Sequence, residues 1–166
     1  MPAEQEIERM ITEYGDAVLR MCYLYLKDYH LAEDAAQETF IKALKHYDSF
    51  HQKSSEKTWL TKIAINCCKN IMRMNWFRLG RWKLEENMQT VVADPIENVL
   101  ERDSITRAIQ SMEVQDREVI ILYYYQELSM KEIAQVIGKS ENLTIQRVNR
   151  ARKKLRKILM EAGYGL

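Results

Sequence analysis

Residues that break regular structure are scarce in this chain of 166: five glycines and two prolines. A β sandwich or barrel needs turn residues every few positions, so the shortage argues for helices. Cysteine is equally sparse. Cys22, Cys67 and Cys68 form an odd set, with no Cys-x-x-Cys pair and no His/Cys cluster at metal-binding spacing. A disulfide scaffold or zinc module is therefore not expected, and a reducing cytoplasm is. No run approaches the roughly 18 apolar residues of a spanning helix. The opening stretch, MPAEQEIERM, is acidic and lacks the apolar core of a secretory leader. Catalytic constellations are missing too: there is no His/Asp/Ser set, no phosphate loop and no carboxylate cluster for magnesium. His30, His46 and His51 fall near expected loops without evident partners and read as solvated. Neither enzymatic activity nor a cofactor nor a metal is expected.

What is present is the balance of a soluble globular protein, 46% hydrophobic and 30% charged. The formal net charge of +1 says little about nucleic acid, but its distribution says more. Lys139, Arg147, Arg150, Arg152, Lys153, Lys154, Arg156 and Lys157 face a lone acid, Glu141, near the C-terminus. Lys69, Arg73, Arg78, Arg81 and Lys83 form a second acid-free block. Between them, Glu85, Glu86, Asp94, Glu97, Glu101 and Asp103 are offset by Arg102 alone. Two basic surfaces separated by an acidic stretch suggest two contacts with a polyanion. The plainer reading is solvated helix faces that scatter charge.

Apolar spacing of three and four marks helices. Ile7, Ile11, Tyr14, Val18, Cys22 and Tyr25 trace one face of a helix over 3–27, which Asp28 and Tyr29 break. A second helix over 31–46 would bury Leu31, Ala35, Phe40, Ala43 and Leu44, with Tyr47 just beyond, and a polar loop follows over 48–55. A third, over 56–77, would bury Trp59, Leu60, Ile63, Ala64, Cys67, Ile71 and Met74. Periodicity then lapses over 78–93, which reads as a linker. Asp94, Pro95 and Glu97 supply an N-cap, a first-position proline and a third-position acid for a helix over 95–112. Its apolar face would include Val99, Leu100, Ile105, Ala108, Ile109 and Met112. Another helix is expected over 116–125. Ser129 and Glu132 make a capping box for a short helix to Val136. Gly138 supplies a turn, and Ser140 caps a last helix to about Met160.

A short helix, a glycine turn and a longer basic helix are the layout of a helix-turn-helix, whose second helix enters the major groove. Val148, Ala151, Leu155 and Ile158 would bury one face of that helix. Gln146, Arg147, Asn149, Arg150, Lys153 and Lys154 fall away from it. Arg, Gln and Asn can make paired bonds to base edges, whereas lysines mostly neutralise phosphates. The alternative is a helical hairpin at a protein interface.

Four segments together resemble an extracytoplasmic-function (ECF) sigma factor, the smallest bacterial sigma class. They are Ala32-Glu-Asp-Ala-Ala-Gln-Glu-Thr-Phe-Ile-Lys-Ala-Leu44, Thr58-Trp-Leu-Thr-Lys-Ile-Ala-Ile-Asn66 continuing to Asn70, Leu128-Ser-Met-Lys-Glu-Ile-Ala134, and Asn149-Arg-Ala-Arg-Lys-Lys-Leu155. The resemblance implies an all-α chain of two small helical domains joined by a flexible linker. Residues 1–78 would be the region 2 bundle, 79–94 the linker and 95–166 the region 4 helix-turn-helix. It implies core RNA polymerase (β′ and β subunits) as partner, with promoter DNA double-stranded at −35 and melted at −10, and a cognate anti-sigma factor. Polymerase-docking residues would be Asp34, Gln37, Glu38, Phe40, Ile41 and Lys42, with Phe40 and Ile41 as apolar anchors. The −10 readers would be Lys57, Asn66, Lys69, Asn70 and Arg73. The −35 readers would be Ser140, Thr144, Ile145, Gln146, Arg147, Asn149, Arg150 and Lys153. The chain would be cytoplasmic, with no membrane insertion of its own.

Two places depart from the family pattern. Met112-Glu113 stands where Leu-Pro is common. In the last helix, Thr144 replaces a core valine and Ile145 a basic contact. Ile145 either touches a thymine methyl or is buried by a shift of the helix. Trp59 reads as core rather than a platform for a base. Trp76, Phe77 and Trp82 fit either stacking or linker cover. A helix-turn-helix regulator that does not act as a sigma subunit is the competing function; it would need a dimer interface or a ligand pocket, and neither has a signature here.

Overall fold

A computed structural model describes residues 2–50, 54–86 and 104–163, the side chains of 77–86 excepted. Seven helices and no strand occur among them. Helix α1 spans Ala3–Leu26 and α2 spans Tyr29–Lys45. They are separated by Lys27 in the left-handed region and by Asp28, whose side chain accepts from the Leu31 amide at 3.0 Å. That N-cap explains why the first helix stops and the second starts so abruptly. A 3₁₀ turn, Tyr47–Ser49, leads towards α3, Glu56–Glu86. The sequence places the end of α3 near Phe77; the helix continues through residues counted above as linker. Charged and aromatic residues carry a helix as readily as a coil when no proline or glycine cluster stops it, so lost periodicity was a poor marker of its end. The rest of the expected linker and the Asp94–Pro95 cap lie outside the described residues.

The second module holds α4 (Ser104–Gln110), α5 (Val114–Ile120) with a π-helical continuation over Ile121–Tyr125, α6 (Met130–Ile137) and α7 (Glu141–Glu161). The capping box is formed: the Ser129 hydroxyl accepts from the Glu132 amide at 3.1 Å, and Glu132 accepts from the Ser129 amide at 2.9 Å. Gly138 ends α6 at φ 69°, and its amide returns to the Ala134 carbonyl at 2.9 Å. Space for a Cβ exists there, so the cost of Gly138→Ala is conformational. A left-handed alanine costs about 1–2 kcal/mol, and thermal unfolding should show Tm lowered by roughly 2–8 °C.

Core positions follow the expected stripes with four exceptions. Ile11, Leu44, Met74 and Ile105 are exposed, at 41–59%. Ile11 and Leu44 stand on the two sides of an open groove, described below, instead of meeting across it. Tyr23, Tyr25, Met10, Met21, Leu60 and Ile65 fill the first module, and Ile120, Ile121, Leu122, Ile133 and Val148 the second.

The two modules are packed together. The second rests on α1 and, through α6, on α3. The buried apolar residues of both modules form one continuous cluster, and polar bonds join the modules as well. Arg117 donates twice to the Tyr25 carbonyl, at 2.7 and 3.1 Å, and once to the Met112 carbonyl at 2.8 Å. Gln110 donates to the Tyr23 carbonyl at 3.3 Å. The Tyr23 and Tyr25 carbonyls belong to the last turn of α1, which has no intrahelical donors left for all of its carbonyls; residues of the second module cap it.

Candidate nucleic-acid interface

One solvent face of α3 gathers most of the expected −10 readers. Asn66, Asn70 and Arg73 are exposed at i, i+4 and i+7 and so stand in one row. Lys69 is half-buried, with its ammonium 3.5 Å from Glu118 of the other module. Lys57, in the first turn, is half-buried as well and lies near Glu132.

Next to this row the 3₁₀ turn and the start of α3 enclose a cavity of about 340 Å³, lined by Ser49, Phe50, Ser54, Thr58, Trp59 and Lys62, with Gln135 and Val136 of α6 on its far side. Phe50 stacks on Trp59 at a centroid distance of 4.5 Å and 15° between planes, and Tyr47 meets the same indole edge-on. Trp59 is thus half-buried on top of the core, with part of its surface turned to the cavity. Flat aromatic faces beside a lysine and several hydroxyls are the chemistry that holds an unstacked base. Sequence reading missed Lys62 and Thr58 and did not single out Phe50 within the loop over 48–57, which the family resemblance implies handles the −10 strand. An aromatic closing a polar loop just ahead of a tryptophan was the available signal, but it acquires meaning only when the loop folds back.

The last helix presents Gln146, Asn149, Arg150 and Lys153 to solvent, with Arg147 half-buried on its flank. Thr144 is not among the readers: it is fully buried, and its hydroxyl donates to the Ser140 carbonyl at 2.8 Å. A hydroxyl spent on the backbone fills the valine-sized core site without leaving a polar atom unpaired. Ile145 is half-buried. Ser140 is exposed, but its hydroxyl serves as N-cap, accepting from the Leu143 amide at 3.2 Å. Two of the basic residues hold the module together: Lys154 pairs with Asp116 at 2.9 Å, and Arg152 donates to the Tyr124 hydroxyl at 3.0 Å while lying over the Tyr123 and Tyr124 rings.

A third surface lies between α1 and α2. It is an apolar groove of about 600 Å³ with Ile7, Ile11, Leu19, Phe40, Ile41 and Leu44 in its walls and Glu33 and Gln37 at its rim. Asp34 and Gln37 are exposed beside it, Glu38 and Lys42 half-buried, and Ile41 is 47% exposed. Phe40 follows its expected place in the core more than its expected place as a docking anchor. At 8% exposure it is chiefly a core residue that shows the groove an edge.

Residues 10–78 match the family described as Sigma-70 region 2, and residues 102–155 match Sigma-70, region 4. The chain belongs to the sigma-70 family. It is 31% identical over 167 residues to RNA polymerase sigma factor YlaC of Bacillus subtilis, across 95% of this chain and 94% of YlaC. To the ECF RNA polymerase sigma factor SigW of the same organism it is 30% identical over 160 residues, covering 89% and 86%. It is therefore an RNA polymerase sigma factor of the ECF class, and a free-standing helix-turn-helix regulator is not favoured, since region 2 is present as well. The fold of this sigma factor matches that of RpoE solved with the anti-sigma factor NepR from Bartonella quintana, at TM-score 0.76, 24% identity and coverage of 94% and 98%. It also matches CnrH solved with the cytosolic domain of CnrY, at TM-score 0.72, 22% identity and coverage of 96% and 90%. The groove, the α3 row and the aromatic cavity fall within the region 2 match, and the exposed face of α7 within the region 4 match. No helix among the described residues is long and apolar enough to cross a membrane.

Proposed function

We propose that the three surfaces divide the work of promoter-directed initiation. The groove between α1 and α2, with Asp34, Gln37, Glu38, Ile41 and Lys42 around it, docks on the β′ subunit of core polymerase. Apolar walls with a charged rim suit a helical partner, whose buried anchors supply affinity while rim charges set register. The α3 row, Lys57, Asn66, Lys69, Asn70 and Arg73, reads the melted −10 strand. Unstacking a base costs a few kcal/mol, which the Phe50–Trp59 pair and the polar cavity wall offset. The exposed face of α7, with Gln146, Arg147, Asn149, Arg150 and Lys153, reads the −35 duplex in its major groove. Ser140 and Ile145 sit at its entry and margin.

The observation that carries this reading is that the three surfaces lie on separate elements within the two matched regions. The factor is a regulatory subunit without chemistry of its own and works inside the cell. RpoE was solved with an anti-sigma factor, which supports an anti-sigma partner for this chain too. Run-off transcription on genomic fragments tests the whole. Core polymerase with the purified chain should initiate at a defined subset of fragments that core alone ignores. Initiation that still required a second sigma factor would overturn it.

A further inference from the structure

The start of α7 carries an apolar side chain that the core does not use. Thr144, Val148, Ala151 and Leu155 make the buried stripe of this helix. The Ser140 hydroxyl accepts from the Leu143 amide at 3.2 Å, and the Thr144 hydroxyl donates to the Ser140 carbonyl at 2.8 Å. Together they fix the rotation of the helix from its first turn, and no shift of it buries Ile145. That residue stands half-buried at the edge of the stripe, beside the exposed Gln146 and Asn149. At the other end of α7, Ile158 and Leu159 are half-buried too, and both pack against the core; Ile145 is not among the described side chains that do.

Ile145 also faces away from the first module. Arg147 lines a cleft with Lys69 and Met72 of α3. Successive residues of a helix are about 100° apart, so Ile145 lies about 200° from Arg147, on the opposite flank. Leu143, the other apolar residue exposed at this end, at 38%, precedes Arg147 by one turn and shares its flank. Ile145 instead shares a row with Asn149, one turn further on.

The N-terminal residues of a recognition helix are those that meet base edges. Isoleucine has no donor and no acceptor to offer them. The apolar group that distinguishes one base edge from another in the major groove is the thymine methyl. Against a polar edge, the same side chain would displace water and return no hydrogen bond. An asparagine amide pairs with adenine N6 and N7. Cβ atoms one turn apart are about 5–6 Å from each other, against a rise of about 3.4 Å per base pair. The two side chains thus face base pairs one or two steps apart.

We propose that Ile145 is a specificity-determining residue of the −35 contact: it reads a thymine through its methyl group, with Asn149 on an adenine one or two base pairs away. The inference rests on the assignment of α7 to the −35 duplex made above.

Deoxyuridine tests it, because that nucleotide keeps the pairing and the O4 acceptor of thymidine and lacks only the methyl. Core polymerase with the full chain is footprinted on a promoter it selects. Thymines of the protected upstream duplex, on both strands, are then replaced one at a time, and binding of the complex is measured by gel shift. One replacement should weaken wild-type binding about fourfold, the worth of one methyl group taken out of water. Ile145→Ala should be indifferent to that replacement, and Leu143→Ala should remain sensitive to it. Ile145→Arg, able to pair with guanine O6 and N7, should bind better with guanine than with thymine at the same position. Wild-type indifference to every replacement, or a protected duplex without thymine, overturns the methyl contact and leaves −35 reading in place. Sensitivity that persists in Ile145→Ala, or a preference for thymine retained by Ile145→Arg, overturns the assignment to Ile145. Absence of any protected upstream duplex removes the −35 reading itself, and this inference with it.

Discussion

Asn66→Ala/Asn70→Ala should lower initiation by one to two orders of magnitude while leaving the complex with core polymerase intact. Both amides are exposed on the same face of α3, so their removal leaves no buried group unpaired and should not disturb folding. A well-placed paired contact to a base is worth about 1–3 kcal/mol, and two contacts at the low end of that range, about 2–3 kcal/mol together, correspond to losses of that size. The informative comparison is between gel-shift of the core complex and single-round transcription on the same preparation. If both fell together, the substitution would have damaged the module as a whole and the assignment of these residues to −10 reading would be wrong. Equal activity of variant and wild type would remove them from the reading face altogether.

The converse pattern is expected at the groove. Ile41→Asp and Leu44→Asp change residues that are 47% and 41% exposed, so the chain should keep its helical content and melting temperature. Each places a charge where an apolar anchor would dock. Interface anchors of this kind cost 2 kcal/mol or more on truncation, so affinity for core polymerase should fall roughly 30-fold or further, measured by competition against an unmodified sigma factor. Phe40→Ala serves as the contrast. That ring is chiefly core, and emptying a buried phenylalanine site costs about 3–5 kcal/mol, so it should lower stability as well as binding. A loss of core binding in Phe40→Ala accompanied by normal binding in Ile41→Asp would show that the groove does not dock anything and that α2 acts only as scaffold.

Much of this architecture was legible in the sequence, because helix ends here are written in local chemistry. Asp28, Ser129 with Glu132, Gly138 and Ser140 each terminate or start a helix where their side chains or φ preference require it, and the structure agrees at every one. Local rules failed where tertiary context decided. The π-helical turn Ile121–Tyr125 carries no sequence mark that separates it from an ordinary helix. Ile11, Leu44 and Phe40 share the spacing of core residues. Only the open groove between α1 and α2 tells them apart: it leaves the first two exposed, while the third is buried. Thr144 stood among the −35 readers that the family resemblance implies, although it replaces a core valine; its hydroxyl finds the Ser140 carbonyl one turn away and the side chain stays inside.

The contacts across the seam were the least visible of all. Arg117 and Glu118 are unremarkable in a helix that also contains Asp116, and nothing nearby in sequence says that Tyr25, some ninety positions earlier, will supply their partners. Burial lowers the Arg117 guanidinium from its ordinary value, though it stays a cation, and burial together with the Glu118 charge raises the Tyr25 hydroxyl far above its own. Pairings at such separation are set by how the modules meet.

Chemical footprinting of the polymerase complex assembled with this chain tests the central account most directly. On a promoter it selects, permanganate should report unpaired thymines in the −10 element while a separate duplex segment about two helical turns upstream is protected, and Asn66→Ala/Asn70→Ala should abolish the first signal without the second. A complex that protects duplex DNA but never opens it, or no complex with core enzyme at all, would contradict the assignment of α3 to strand capture and of the α1–α2 groove to polymerase.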